Sequence, residues 1–176
     1  MQEVGFQLYV DMLNRAVRSL KAGREPNLDI QTASATEINL HVPALLPDSY
    51  CANVHQRLVI YKRLANTETE SDLQDMQEEI IDRFGTMPDP VKALIENHRL
   101  RIAAKPLGIT RIDASAESIT VQFATDAPVD PARLIELVQA RKDARFAGPE
   151  RLRVNVPTDN LQSRSATVRE LLRQML

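Results

Sequence analysis

Three carboxylates, Glu78, Glu79 and Asp82, lie within five residues of one another and are the side chains best placed for chemistry. In a cleft, such carboxylates could act as a general acid and base or bind Mg²⁺. They belong to residues 66–90, which contain eight acids and one base and so have a net charge of −7, whereas the whole chain has −2. So concentrated a charge indicates a surface that faces solvent or a basic partner, rather than a catalytic cleft.

The other reactive side chains are isolated from one another in the sequence. His41, His55 and His98 have no second histidine or cysteine at the spacing of a metal site, and Cys51 is the only cysteine. Nothing near Cys51 would orient a base toward its thiol. The glycine-rich patterns of nucleotide-binding loops are missing as well. We therefore predict no catalytic residue, no metal and no cofactor in this chain.

The carboxylates are positioned by a predicted helix over residues 70–84. Its apolar residues recur at spacings of three, four and four, which is one face of an α-helix, and they are Leu73, Met76, Ile80 and Phe84. Glu78, Glu79 and Asp82 lie off that face. Glu79 and Arg83 are four residues apart with the acid first, so the pattern predicts an ion pair within the helix.

The ends of this helix are marked by residues with special backbone roles. Ser71, Thr69 and Glu70 are competing candidates for its N-terminal cap. Gly85 is expected to end it in a left-handed conformation. The next helix is predicted to begin at Asp89-Pro90, with the acid as the cap and the proline at the first helical position.

Periodicity along the remaining chain predicts a mixed α and β domain. Helices are expected over residues 3–22, 52–66, 90–104, 131–141 and 160–176. Strands are expected over residues 37–42, 109–114, 118–124 and 151–156. The fold class is therefore α+β, with several helices packed against a small, mostly antiparallel sheet.

Composition is that of a soluble globular protein. The chain is 43% hydrophobic and 26% charged, and it has no apolar run long enough to span a membrane. The N-terminus lacks the features of a secretory signal. A single cysteine cannot form an internal disulfide, which is compatible with a cytoplasmic location.

A nucleic-acid-binding module is the main alternative. Residues 141–176 contain eight bases and four acids, and a second basic cluster consists of Arg99, Arg101, Lys105 and Arg111. Such clusters can neutralise phosphates. However, residues 99–176, which contain both basic clusters, have only two aromatic residues that could stack on bases, Phe123 and Phe146. The isoelectric point near 5.9 also argues against binding of nucleic acid by this chain. A stand-alone protein-interaction or nucleic-acid-binding module therefore stays open as the second interpretation.

Several short motifs, in order, resemble one bacterial family. Tyr61–Ala65, Glu79–Gly85 with Pro88, and Leu107–Ile109 are similar to the C-terminal domain of the transcription-repair coupling factor. The opening Val4–Tyr9 is similar to the segment that joins this domain to the upstream motor. The resemblance is strong over residues 3–110 and weaker beyond them.

The resemblance implies a regulatory function. The parent of this family is an ATP-driven DNA translocase that displaces stalled RNA polymerase and recruits the nucleotide-excision machinery. Its C-terminal domain docks on an N-terminal, excinuclease-B-like module, masks the surface that binds excinuclease A, and restrains the motor. The implied docking residues are Glu79, Asp82 and Arg83. ATP and Mg²⁺ would serve the parent's motor, and DNA and RNA polymerase would be partners of the parent.

The resemblance also divides the chain. Residues 1–25 would be a connecting helix from the translocase module, and residues 26–176 the C-terminal regulatory domain. Pro106 departs from the family pattern, and because proline lacks a backbone donor we expect it to end or kink the helix over 90–104 early.

Overall fold

The computed structural model describes residues 36–176, which form five helices and five strands. The predicted helix over residues 3–22 and the connecting segment 1–25 lie outside the described residues. The helices are α1 Val54–Ala65, α2 Glu70–Phe84, α3 Asp89–Ala104, α4 Pro131–Ala140 and α5 Leu161–Met175. The strands are β1 Glu37–Asn39, β2 Ile109–Ala114, β3 Ile119–Phe123, β4 Ala144–Phe146 and β5 Arg151–Val154.

The strands form one sheet in the order β1-β2-β3-β5-β4. The β1 and β2 strands are parallel, and the other three pairs are antiparallel. The α+β class and the mostly antiparallel sheet are therefore confirmed. Strand β4 was not predicted, because three residues give too little alternation to recognise. Strand β1 is shorter than expected and ends before His41, whose φ of 54° lies in the left-handed region.

The residue that caps the start of α2 is Thr69. Its backbone is extended, and its hydroxyl accepts a hydrogen bond from the Asp72 amide at 3.1 Å. Of the three candidates for this cap, the structure therefore selects Thr69 over Ser71 and Glu70. The start of α3 also differs by one residue from the expectation, since its cap is Pro88 and Asp89 already lies in the first helical turn.

Gly85 ends α2 with a positive φ of 85°, as expected, but its ψ is −162°. The predicted left-handed helical conformation was therefore wrong in detail. This region of backbone space is open essentially only to glycine. The Gly85 amide donates to the carbonyl of Ile81 at 2.8 Å, and the Tyr50 hydroxyl donates to the Gly85 carbonyl at 2.7 Å. Both backbone polar groups of Gly85 are thereby satisfied.

Pro106 lies two residues beyond the last residue of α3, which shows no early end relative to the predicted 90–104. Helix α3 ends at Ala104, and the chain continues as a single 3-10 turn over Lys105–Leu107. Gly108 closes that turn with φ 64° and ψ 28°, the left-handed conformation that glycine adopts without steric cost. The chain then enters β2 directly, so the proline fixes the point at which helix gives way to sheet.

Two hydrophobic clusters fill the domain, and α3 belongs to both. The first lies between the sheet and helices α4 and α5, and it includes Leu100 and Ala104 of α3. The second lies among α1, α2 and the first half of α3, where Val91, Leu94 and Ile95 are buried. The helix carrying the carboxylates is therefore packed on α3. None of the helices within residues 36–176 is both long and apolar enough to cross a membrane.

Candidate functional site

The acids of residues 66–90 separate into two groups of four in the structure. One group forms ion pairs: Glu68 with Lys105, Glu70 with Arg99, Glu79 with Arg63 and Arg83, and Asp89 with Lys92. The N–O distances of these pairs range from 2.6 Å to 3.8 Å. The charge of these four acids is therefore compensated within the domain.

The second group forms what we call the acidic stripe, which consists of Asp72, Asp75, Glu78 and Asp82. All four are exposed, and among residues 36–176 none has a cation as an ion-pair partner. Their spacings of three, three and four place them along one side of α2, away from the buried Leu73, Met76 and Ile80. The uncompensated negative charge of the helix is therefore confined to the acidic stripe.

Glu79 is the most heavily contacted of the predicted site residues. Arg63 of α1 donates to both of its oxygens, from Nη1 to Oε1 at 2.7 Å and from Nη2 to Oε2 at 2.6 Å. Arg83 donates to Oε1 at 3.0 Å. The hydrogen bonds from Arg63, followed by the single hydrogen bond from Arg83, lower the pKa of Glu79 to about 2. Glu79 is therefore ionised at neutral pH and fully engaged within the domain.

Asp82 and Arg83 present the remaining predicted groups to solvent. Asp82 is exposed and, within the part of the chain that the structure describes, accepts no hydrogen bond and forms no ion pair. The Arg83 guanidinium uses one nitrogen for Glu79 and lies 5.1 Å from the centre of the Phe84 ring. Ile81, which precedes Asp82 in the sequence, is 39% exposed. This end of α2 thus offers an anion, a cation and an apolar side chain together.

Tyr50 holds this end of α2 in place. Its ring packs against Phe84, with 5.7 Å between ring centres and an interplanar angle of 51°. Its hydroxyl bonds to Gly85, and burial raises the pKa of that hydroxyl. Phe84 is half-buried rather than fully buried. The site residues are therefore fixed from two sides, by the Arg63 fork and by the Tyr50 ring.

The structure brings together Glu79 and Arg83, as the helical spacing predicted, and leaves Asp82 separate from both. It adds Arg63 and Tyr50, which sequence reasoning missed. The ion pair between Arg63 of α1 and Glu79 of α2 could not be found from periodicity, because a spacing rule applies only within one helix. One available signal was that Tyr61–Ala65, which contains Arg63, was among the motifs shared with the family.

Other chemistry suggested by the sequence gains no geometric support. Among the described residues, no group of three or more histidine, cysteine or acidic side chains is arranged to hold a metal ion. The second basic cluster is engaged within the domain. Arg99 pairs with Glu70 and Glu96, Arg101 donates to carbonyls at the end of α1, and Lys105 and Arg111 face acids. That cluster is therefore not a free phosphate-binding surface.

Comparison with known proteins places this geometry in a family. The sequence model described as the TRCF domain matches residues 40–134, which include α1, α2 and α3. The chain belongs to the TRCF domain family. It is 40% identical over 176 residues to the transcription-repair-coupling factor of Escherichia coli K12, covering 99% of this chain and 15% of that protein. The corresponding protein of Haemophilus influenzae Rd is 39% identical over 173 residues, covering 98% of this chain and 15% of the relative.

The fold agrees with a solved structure of the same kind. The crystal structure of the C-terminal domain of transcription-repair coupling factor superposes with a TM-score of 0.67 and 24% identity, covering 83% of this chain and 92% of that chain. The family resemblance drawn from the motifs is therefore confirmed. The TRCF domain described here spans only about 15% of the length of the curated relatives that it matches.

Proposed function

We propose that this TRCF domain is a regulatory domain that docks on the N-terminal excinuclease-B-like module of the same parent chain. By docking there it would mask the surface for excinuclease A and restrain an ATP- and Mg²⁺-dependent DNA translocase. The parent would engage DNA and RNA polymerase in transcription-coupled nucleotide-excision repair. Support comes from the names of the relatives and from the free groups at the end of α2.

The observation that carries the proposal is the pairing state of Asp82. Its carboxylate is exposed and unpaired among the described residues, while its neighbour Arg83 is braced by Glu79 and Phe84. An unpaired charge on a rigid helix end loses little conformational entropy when a partner binds it. A cationic side chain of the partner module would pair with Asp82, and an acidic one with the free nitrogens of Arg83.

Glu79 has a different role in this proposal from Asp82. Both of its oxygens already accept hydrogen bonds, so a partner would gain little from it directly. In this proposal Glu79 positions the guanidinium groups of Arg63 on α1 and Arg83 on α2. Removal of Glu79 would then release two arginines, whereas removal of Asp82 would take away a group that touches the partner.

Charged contacts at the edge of an interface fix the register of the two docked surfaces and give moderate binding affinity. Mutation of an exposed rim charge changes association rates and salt dependence, while truncation of a buried pair costs more. A latch that an activating partner must displace needs only a few kcal/mol, about the amount that shifts a two-state equilibrium from one side to the other. The small surface at the end of α2 matches that requirement.

Asp82→Asn is expected to weaken binding to the separately expressed N-terminal module by about tenfold, or about 1.4 kcal/mol. The substitution removes the charge and keeps the shape. Asp72→Asn is the matched control, because it removes the same charge from the other end of the acidic stripe, about 15 Å away along the helix. Isothermal titration at low and moderate salt measures both variants.

Equal losses of affinity in the Asp82 and Asp72 variants would show a diffuse charge effect instead of a docking contact. Unchanged affinity in both, with wild-type binding intact, would place the docking surface elsewhere. Wild-type protein that does not bind the module at either salt concentration would favour the alternative of a stand-alone interaction module.

A further inference from the structure

One face of the sheet is not covered by any element of residues 36–176. Side chains that point to the other face are buried against α3, α4 and α5, among them Ile112, Val121, Leu152 and Val154. The alternate positions point outward and are polar or charged, and these are Glu37, Asn39, Arg111, Asp113, Thr120, Gln122, Arg145, Arg151 and Arg153. We call this the outer sheet face.

The half of the outer sheet face on β1 and β2 is internally compensated. Arg111 lies 3.7 Å from an oxygen of Glu37 and 3.7 Å from an oxygen of Asp113. The His41 ring nitrogen Nε2 lies 2.8 Å from Asp113, and the Asn39 amide donates to the same carboxylate at 3.4 Å. Charges of both signs on this half therefore satisfy one another.

The half on β4 and β5 has three arginines and, among the described residues, no acid paired with them. Arg145 and Arg153 are direct cross-strand neighbours, and Arg151 is two residues along β5 from Arg153. Arg153 donates to two neutral groups, Asn155 at 3.1 Å and Ser118 at 3.3 Å. Arg145 and Arg151 are exposed and have no ion pair within residues 36–176. Like charges directly opposite destabilise a sheet, so an anionic partner would stabilise this arrangement.

We propose that Arg145, Arg151 and Arg153 bind the phosphodiester backbone of duplex DNA. Opposite residues on paired strands have Cβ atoms about 5 Å apart, and residues two apart on one strand are separated by about 6.6 Å. Such spacing lets the guanidinium groups reach successive phosphates. Arginine presents a planar fork that suits phosphate oxygens. Gln122 and Thr120, beside Arg151 and Arg153 in register, add donors of the kind that also contact phosphates.

The composition of the outer sheet face favours DNA over a protein partner. Protein interfaces are enriched in aromatic residues, Met and Arg, and of these the outward positions of β1–β5 contain only arginines. Protein–DNA interfaces are polar and strongly positive. Among the described residues, the large exposed apolar side chains lie elsewhere: Val54, Leu58, Val59, Ile81, Ile135, Phe146 and Leu176. Phe146 pairs with the buried Leu152 and therefore belongs to the opposite face.

A duplex is favoured over a single strand by the same composition. Binding of single strands depends on aromatic side chains that stack on bases, and no aromatic residue occupies an outward position of β1–β5. The outer sheet face is also separate from the end of α2, on which the proposed docking rests. Failure of one proposal would therefore leave the other unaffected.

The test is fluorescence anisotropy with the 176-residue chain and a labelled mixed-sequence duplex at several salt concentrations. The triple variant Arg145→Gln, Arg151→Gln, Arg153→Gln is expected to bind at least about tenfold more weakly at low salt. Its slope of log affinity against log salt should be smaller by about 3, close to 0.9 for each phosphate that is no longer neutralised. The control Lys105→Gln, Arg133→Gln, Arg173→Gln removes the same net charge from exposed positions outside the outer sheet face.

Wild-type affinity in the control, together with affinity at least about tenfold lower in the triple variant, supports the proposal. Equal affinities of the two variants would overturn it, and so would absence of duplex binding by the wild-type chain at low salt. A parallel titration uses polyglutamate as an acidic-protein probe. Arginine-dependent binding of polyglutamate without binding of the duplex would also overturn the proposal and assign the outer sheet face to an acidic protein. Circular dichroism of both variants confirms that they are folded.

Discussion

Lowering the pH from about 7.5 to about 5.0 should reduce the free energy of unfolding of this TRCF domain by about 2 kcal/mol through His98 alone. His98 lies in α3, where the two hydrophobic clusters meet, and only 2% of it is exposed. Its Nδ1 is buried without a hydrogen-bond partner among the described residues. A protonated imidazole at this position would carry a charge with no compensating acceptor at that nitrogen.

Burial, with a smaller contribution from the Arg101 cation, lowers the pKa of His98 to about 3. The unfolded chain has the ordinary value of about 6.5. Below pH 6.5 the unfolded state therefore binds a proton that the folded state does not, and stability falls as the pH falls. The stability contributed by the neutral histidine is complete above pH 6.5 and is lost at about 1.4 kcal/mol per pH unit until the pH approaches 3.

Urea unfolding of the wild type and of His98→Leu, followed by circular dichroism at several pH values, measures this effect. The leucine variant should lose most of the pH dependence between about 7.5 and about 5.0, because it has no proton to bind at this position. His55→Gln, which changes an exposed histidine, is the control and should keep the wild-type dependence. Identical pH dependence in wild type and His98→Leu would show that His98 is protonated in the folded state without cost.

The five helices of residues 36–176 could be predicted because apolar residues at helical spacing mark a buried face. Leu73, Met76 and Ile80 repeat at helical spacing and are all buried in the structure. The cap of α2 was harder, since Ser71, Thr69 and Glu70 are all plausible and only backbone geometry selects Thr69. Strand β4 is defined by its pairing with β5, which is a long-range property that three residues do not encode.

The candidate site was predictable only where its contacts lie within one helix. Glu79 and Arg83 are one turn apart, so their pairing follows from spacing. Arg63 lies on another helix, and its guanidinium donates hydrogen bonds to both oxygens of Glu79. Glu79 is therefore paired within the domain and is not a free anion. Asp82 kept its predicted exposure because nothing in the described chain approaches it. Charge counted along the sequence therefore overestimated how much of α2 is free to bind a partner.

Contacts across the domain connect the candidate docking surface to the sheet. Arg99 of α3 donates to Glu70 and to Gln77 of α2. It also pairs with Glu96, which accepts a hydrogen bond from Ser165 of α5. Helix α2 is thereby tied through α3 to the helix that packs on the sheet. Substitutions that disturb the junction between α3 and β2 should consequently destabilise the whole described domain.

Gly108→Ala is expected to give the largest loss of stability, about 3 kcal/mol of unfolding free energy or more. Gly108 occupies the left-handed region with φ 64°, where an alanine costs about 1 kcal/mol. An added Cβ would lie 2.7 Å from Cδ of Pro128 and 2.8 Å from Cα of Ala127. Overpacking of this kind adds about 1–3 kcal/mol. The backbone cannot move aside easily, because the Gly108 carbonyl accepts from the Ala124 amide at 2.8 Å.

Gly148→Ala is the comparison variant for the two causes of the loss at Gly108, which are backbone strain and overpacking. Gly148 also has a positive φ, 138°, but a Cβ there would meet nothing within 4 Å. Urea unfolding of both variants should therefore show a smaller loss of stability at Gly148, where only the backbone strain of a positive φ opposes the alanine. Equal losses would mean that residues 127–128 give way and that the packing around Gly108 is not tight.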